Sequence, residues 1–307
     1  KAQTYQNIEI ILINDCTPDN SISLIEKFIE NNLNLNIRLL HHQENSGLSV
    51  VRNTGIDNST GKYIYMLDSD DYITEDCIEK LVTNSEKFQC EISVAETICE
   101  YEDTKERFLY LKINHRKNIL IGNDIIFERF AAFDWPIMGP NKLYLKSFIT
   151  NNNLRFVKGL YSQDELWAFH CAEKLNSISF IKDITYIYYL NSASTVYNKT
   201  KINFENHQTI IEWFVKSYQA TNDKKRRLLI RKKIIDFKKT TLQMQYKFMR
   251  DDVVYWKTNY NRLKKAPSLS ISDYLNSDFT KEQKKENLLL NLPSSLGYKL
   301  FKHRYEK

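Results

Sequence analysis

Residues 8–13, Ile8-Glu9-Ile10-Ile11-Leu12-Ile13, form a short and almost unbroken apolar run. A strand buried on both faces, as in a parallel sheet, carries this pattern. It ends at Asn14-Asp15-Cys16-Thr17-Pro18-Asp19-Asn20-Ser21, which is turn and helix-cap chemistry. Ile22, Ile25, Phe28 and Ile29 then recur at helical spacing. Residues 37–40 predict a second strand, residues 45–47 a turn, and residues 48–57 a second helix. Gly61 breaks the chain before Tyr63-Ile64-Tyr65-Met66-Leu67, a third strand. The order strand, helix, strand, helix, strand predicts βαβ units and a parallel sheet.

The pattern continues less regularly. A helix is expected after Thr74, a strand over residues 91–98, and a charged hairpin or excursion over residues 100–118. Asn123-Asp124 starts a helix, and Asp134-Trp135-Pro136-Ile137-Met138-Gly139-Pro140 is a rigid loop leading to Asn141-Lys142-Leu143-Tyr144. Residues 148–151 are helical, another helix begins around Tyr161, and residues 177–189 read as a paired β segment. Beyond about residue 200 the chain is Lys/Arg-rich and helical. Ile230, Ile234, Phe237, Thr241 and Met244 form an apolar stripe of coiled-coil spacing. A boundary near residues 198–205 would give two domains, 1–200 and 201–307.

Composition narrows this picture. The chain has 307 residues, 42% hydrophobic and 27% charged, so it is an ordinary globular sequence. Only 7 Gly and 5 Pro accompany 19 Tyr and 16 Phe, which favours helices and aromatic packing over a turn-rich sandwich. No apolar run approaches the length needed to cross a bilayer. Cys16, Cys77, Cys90, Cys99 and Cys171 are odd in number and irregularly spaced, so neither a disulfide framework nor a zinc site is indicated. Reduced thiols fit a cytoplasmic protein. A net charge of +6 suits an anionic ligand or surface without pointing to nucleic acid.

The concentrated chemistry lies at the end of the third strand. Asp68, Asp70 and Asp71 fall within four positions, at the strand's carboxyl end, where open α/β sheets place their ligands. Such carboxylates repel one another unless a cation intervenes, and a hard divalent ion with oxygen ligands is one solution. An acidic turn capping the helix after Thr74-Glu75-Asp76 is the other.

The ordered series decides between them. Asn14-Asp15, then Asn45-Ser46-Gly47-Leu48-Ser49 with Arg52-Asn53-Thr54-Gly55, then Gly61-Lys62-Tyr63 leading to Asp68-Ser69-Asp70-Asp71, then Asn141-Lys142-Leu143-Tyr144 and Gln163-Asp164, resembles the family 2 glycosyltransferases. The resemblance covers roughly residues 5–195. It implies the GT-A fold, an α/β, Rossmann-like, mixed but mainly parallel sheet, here with a C-terminal helical extension. The family's first strand and helix are not visible, which implies that about 30 N-terminal residues of a full domain are missing. The implied activity is transfer of a sugar from a nucleotide-sugar donor, UDP-linked by expectation, to an acceptor hydroxyl with inversion, in bacterial polysaccharide or glycan synthesis.

By the same resemblance the Asp-x-Asp motif carries Mn²⁺ or Mg²⁺, with Asp71 the direct metal ligand and Asp70 near the ribose and the metal. Asp68 shapes the turn, and Asp15 contacts the base. Arg52 either reaches the nucleotide or pairs with a neighbouring carboxylate. Lys142 either contacts the diphosphate or acceptor or snorkels over apolar surface. Asp164 is the expected catalytic base. The family commonly has Glu-Asp here, and Gln163 replaces the first carboxylate. Trp135 and Trp167 either stack on acceptor sugars or are buried.

Lys224-Lys225-Arg226-Arg227, Arg231-Lys232-Lys233 and Lys238-Lys239 raise a partner question. They suit an anionic lipid surface or lipid-linked acceptor, which would put the protein at the inner face of the membrane, or they form a solvated helix face. The rival functions are a non-catalytic sugar-nucleotide-binding module and a metal-dependent nucleotidyltransferase. Oligomeric state is not legible.

Overall fold

The computed structural model describes residues 1–191 and 199–306. The chain separates into two compact units, Lys1–Ser192 and Ala193–Lys307. The boundary expected near residues 198–205 borders residues 192–198, which lie outside the described residues.

The first unit is a mixed α/β domain. Strand β1 (Glu9–Asn14), helix α1 (Ser21–Glu30) and strand β2 (Asn36–His41) make the expected βαβ unit, with β1 and β2 parallel in register Glu9 to Asn36. Helix α2 (Leu48–Asn58) leads to β3, which keeps only Tyr63–Tyr65 as strand. A two-residue β4 (Tyr72–Ile73), helix α3 (Cys77–Phe88) and the long β5 (Ile92–Tyr101) follow. The charged stretch is a hairpin: β6 (Arg107–Leu111) folds back antiparallel on β5. Then come β7 (Ile119–Ile121), α4 (Asn123–Ala131), β8 (Lys142–Leu145), α5 (Lys146–Asn151), α6 (Gln163–Lys174) and β9 (Ser177–Leu190).

β1 and β2 form a sheet of their own, and the other strands form a second sheet with order β3-β8-β5-β9-β4, β6 and β7 lying off that path. The two parallel ladders, β1–β2 and β5–β9, are the longest. The shorter ladders β3–β8, β5–β8, β4–β9, β5–β6 and β7–β9 are antiparallel. Local pattern gave no warning of β8, because four residues carry no period. Its position between β3 and β5 is a tertiary outcome.

α3 packs on this sheet through Cys77 and Leu81 against Ala95 and Leu143, with Tyr63, Tyr65, Ile73 and Ile181 around them. A second aromatic core lies under α4 and α6. Trp135 and Trp167 are both buried, and Trp167 stacks on Phe156 with centroids 4.1 Å apart. Burial, the commoner fate, is therefore where both tryptophans go.

The second unit is helical: α7 (Lys201–Ala220), α8 (Lys224–Met249), α9 (Val253–Leu263), α10 (Lys281–Leu290) and α11 (Ser294–Tyr305). Ile230, Ile234, Phe237 and Thr241 of the α8 stripe are buried, as is Trp256, while Trp213 remains 36% exposed. Much of the basic run turns inward rather than forming a solvated face. Arg231 pairs with Asp273 at 2.8 Å, Lys239 with Glu282 at 3.5 Å, and Lys233 and Lys238 are buried. Among the described residues, no helix is long and apolar enough to cross a membrane.

Candidate functional site

Arg52 sits at the centre of the site. It lies on α2 with 7% of its surface exposed. One terminal nitrogen donates to Asp164 Oδ1 at 2.5 Å and the other to Asp68 Oδ1 at 3.0 Å. Its guanidinium also lies over the Phe156 ring, 5.2 Å from the centroid. Burial would lower the Arg52 pKa, but Asp164 and Asp68 raise it above the ordinary value. Asp68 shows the other side of this balance: burial pushes its pKa up and Arg52 pulls it down, with a net rise. Of the two roles expected for Arg52, the structure places it in the ion pair. A planar fork reaching two carboxylates is what a buried arginine offers and a lysine does not.

This pairing brings distant parts of the chain together. Asp68 belongs to the loop after β3, and Asp164 stands in the first turn of α6. Asp164 is not fully enclosed. Its side chain is 28% exposed, and its second oxygen takes no hydrogen bond among the described residues. The loop before β8 closes over the pair. A Cβ on Gly139 would lie 3.0 Å from both Arg52 Nη1 and Asp164 Oδ1, tighter than an ordinary contact, so that pair would have to give way to a larger residue. Tyr144 holds the loop down by donating to the Gly139 carbonyl at 3.0 Å, and Trp167 donates to Tyr144 at 3.2 Å.

The Asp cluster divides into three roles. Asp70 is exposed and makes no hydrogen bond or ion pair among the described residues. Asp71 is held from behind: Tyr186 Oη donates to one oxygen at 2.5 Å and the Tyr189 N–H to the other at 2.8 Å. Burial, reinforced by the charges of Asp70 and Asp68, pushes its pKa up to about 6 against those two bonds. Asp71 was the expected direct metal ligand, yet both its oxygens already have protein donors. Asp70 is the freer carboxylate. Hard oxygen ligands on adjacent residues fit Mg²⁺ or Mn²⁺. Among the described residues, no group of three or more His, Cys, Asp or Glu side chains is arranged to hold a metal.

Asp15 follows β1 directly. Its oxygens accept from the Ser46 N–H at 2.9 Å and the Gly47 N–H at 2.7 Å, and Oδ1 meets His42 Nδ1 at 2.6 Å. Burial raises its pKa, but Ser46, His42 and Gly47 together bring it below the ordinary carboxylate range. Asp15 thus ties the end of β1 to the turn before α2. Gly47, at φ +82°, takes a conformation that suits glycine. Lys142 is buried on β8, and its ammonium meets the Met138 carbonyl rather than open surface. Burial lowers its pKa to about 8, against the nearby charge of Asp164. Neither role expected for Lys142 matches that placement.

Sequence reading missed Tyr186, His42 and Gly139. Tyr186 is one of three tyrosines in Thr185-Tyr186-Ile187-Tyr188-Tyr189 and carries no local mark. Asn141, quoted only as part of a motif, proves to be a structural bolt. At φ +56° its amide donates to the Ala95 and Glu96 carbonyls and Thr97 Oγ1, and its carbonyl oxygen accepts from Thr185.

Residues 1–148 match the model of glycosyl transferase family 2. That part of the chain is a family 2 glycosyl transferase domain. Its relatives include the Escherichia coli uncharacterized glycosyltransferase YibD, 29% identical over 195 residues, which are 63% of this chain and 56% of that protein. The Bacillus subtilis putative glycosyltransferase EpsH is 29% identical over 230 residues, 72% of this chain and 64% of that protein. The chain therefore spans less than two-thirds of these relatives. The crystal structure of Staphylococcus aureus TarS 1-349 in complex with UDP-GlcNAc is similar at a TM-score of 0.70 and 14% identity, covering 100% of this chain and 86% of that one. At that identity the likeness shows the fold: the family 2 domain has the GT-A architecture, followed by helices.

Proposed function

We propose that this chain transfers a sugar from a UDP-linked donor to an acceptor hydroxyl with inversion at the anomeric carbon, in polysaccharide or glycan assembly. The observation that carries the reading is the Asp68–Arg52–Asp164 bridge. One buried guanidinium fixes the loop bearing Asp70 against the helix start bearing Asp164. That is the juxtaposition an inverting transfer requires, with donor on one side and base on the other. UDP-GlcNAc bound to a structure of the same fold supports a UDP-sugar as donor.

The acceptor oxygen attacks the anomeric carbon, and its proton passes to the free oxygen of Asp164. The bond from that carbon to the diphosphate breaks, and the nucleoside diphosphate leaves. Arg52 holds the Asp164 carboxylate in a fixed orientation, so no reorganisation is needed as the proton arrives. It engages one oxygen of that carboxylate and leaves the other to face the acceptor. Gly139 keeps side chains away from that carboxylate. Asp70, with Asp71 behind it, would hold Mg²⁺ or Mn²⁺ together with the diphosphate oxygens. There the ion would neutralise charge developing on the leaving group. Asp15, joined to His42 and the 45–47 turn, shapes the wall expected to face the base.

The test is UDP release from a panel of UDP-sugars with Mg²⁺ or Mn²⁺. Release that is insensitive to chelator would remove the metal from the mechanism. No release and no UDP binding would remove the reading.

A further inference from the structure

Beside the candidate site, the sheet carries an aromatic strip that the proposed chemistry does not use. The register of the strands builds it. Cys99 of β5 lies between Phe108 of β6 and Tyr188 of β9. Side chains two apart on a strand share a face, so Tyr101, Phe108, Tyr110, Tyr186 and Tyr188 stand on the same side as Cys99. The rings are in contact along the row. Tyr101 and Phe108 are 5.5 Å apart, Phe108 and Tyr110 6.2 Å, and Tyr110 and Tyr188 5.4 Å with planes 15° apart. Cys99 is small and fully buried, which leaves the space above β5 to the rings.

Two features make this more than a packed sheet face. The strip is open, with Phe108 40% and Tyr110 43% exposed. It is also continuous with the site. Tyr186, buried and two residues before Tyr188 on β9, donates to Asp71. Two residues of strand span about 7 Å. The opposite face differs in chemistry. There Arg107 pairs with Glu100 at 2.6 Å, and Lys105 covers the Tyr189 ring at 4.9 Å. One face of the hairpin is ionic, and the other is an aromatic row that is open at Phe108 and Tyr110 and ends at the buried Tyr186 beside Asp71.

Resting on the reading of the chain as a glycosyltransferase, we propose that the face bearing Tyr101, Phe108, Tyr110 and Tyr188 is the surface on which the glycan acceptor lies. Sugar rings have apolar C–H faces and hydroxyl rims. Flat aromatic rings with phenolic edges match both, and their rigidity keeps the ordering cost low. The row would hold sugar units beyond the one that reacts and aim the terminal hydroxyl toward the Asp164 side of the donor.

The experiment uses saturation-transfer NMR with cellotetraose, chitotetraose and maltotetraose as probes, on the chain with UDP and Mn²⁺ present. Thermal shift with UDP alone reports the donor site separately. The expected result is binding of at least one tetrasaccharide, weakened about tenfold or more in the Phe108→Ala/Tyr110→Ala double variant. Leu109→Ala, on the ionic side of the hairpin, should leave tetrasaccharide binding unchanged. If the double variant does not fold, as read by circular dichroism, Tyr110→Ser is used in its place. Three results overturn the proposal while leaving the donor reading intact: UDP binding without binding of any tetrasaccharide, equal binding by wild type and variant, or a drop in oligomeric mass in the variant, which would make the strip a contact between copies. Absence of UDP binding overturns the underlying reading instead.

Discussion

Two buried cations, Arg52 in the first unit and Lys238 in the second, are held in opposite ways. In the first, Arg52 is enclosed between Asp68 and Asp164, and those carboxylates hold its pKa above the ordinary value against burial. In the second, Lys238 of α8 is fully buried and, among the described residues, reaches only the Ala266 carbonyl and Ser268 Oγ, each at 3.3 Å. Burial alone acts on it and lowers its pKa to about 8. The contrast teaches what a buried charge is for in each place. A guanidinium with two matched carboxylates orients groups that act on a ligand. An ammonium with neutral acceptors fills a gap in a helical core and approaches neutrality.

The largest effect should come from Asp164. Asp164→Asn keeps the shape of the Arg52 pair but cannot accept a proton, so turnover should fall about 1,000-fold while donor binding changes little. UDP release and UDP titration check the two halves of that statement, and retained turnover would strip Asp164 of its role. Next is the bridge itself. Arg52→Met leaves two partly buried carboxylates without a partner and should cost about 3 kcal/mol in denaturant unfolding. A cost near zero would mean that the bridge is not what joins α6 to the β3 loop. Gly139→Ala should mimic part of this by pressing on Arg52 and Asp164.

The lysine side of the comparison gives a pH signature. With a folded pKa near 8 and an ordinary value near 10.5, the unfolded state binds more protons between those values, so stability rises as pH rises through that window. The gain should be about 2 kcal/mol between pH 8 and 10. Lys238→Met should remove its share of that slope, while Lys142, also lowered to about 8 by burial, keeps its own, and should leave the helical unit equally or more stable, as thermal melts at the two pH values would show. A slope of unchanged size in the variant would break the comparison. The smallest effect belongs to Asp71. Its folded pKa of about 6 lies above the ordinary 3.8, so the folded state holds the extra proton between them and stability falls as pH rises through that interval. Because Asp71 is partly exposed, the change should stay within about 1 kcal/mol. Asp71→Asn should flatten it.

Much of the first unit was legible in order along the chain. The β1 and β2 strands, helices α1, α2, α4 and α6 and the long β9 follow from apolar spacing and turn residues, because local pattern and final burial agree there. β4 and β8 were not legible, since two and four residues carry no period. The candidate site divides the same way. Asp164 and the Asp68–Asp71 cluster stand out because carboxylates at strand and helix ends are chemically conspicuous. Arg52 had two open roles until the fold brought Asp164 within reach across 112 residues. Lys142 reads like a surface cation, yet its strand lies in the middle of the sheet.

By itself, then, the sequence determined the family, the α/β order and the identity of the carboxylates, because these depend on residue type at short range. Only the tertiary structure decided how the charges are shared: Arg52 between Asp68 and Asp164, Asp71 on Tyr186, Asp15 on His42, and Asp70 left open to solvent. The physical reason is that a charge finds its partner through space. The partners lie on separate elements, and their distances are set by how sheets and helices pack.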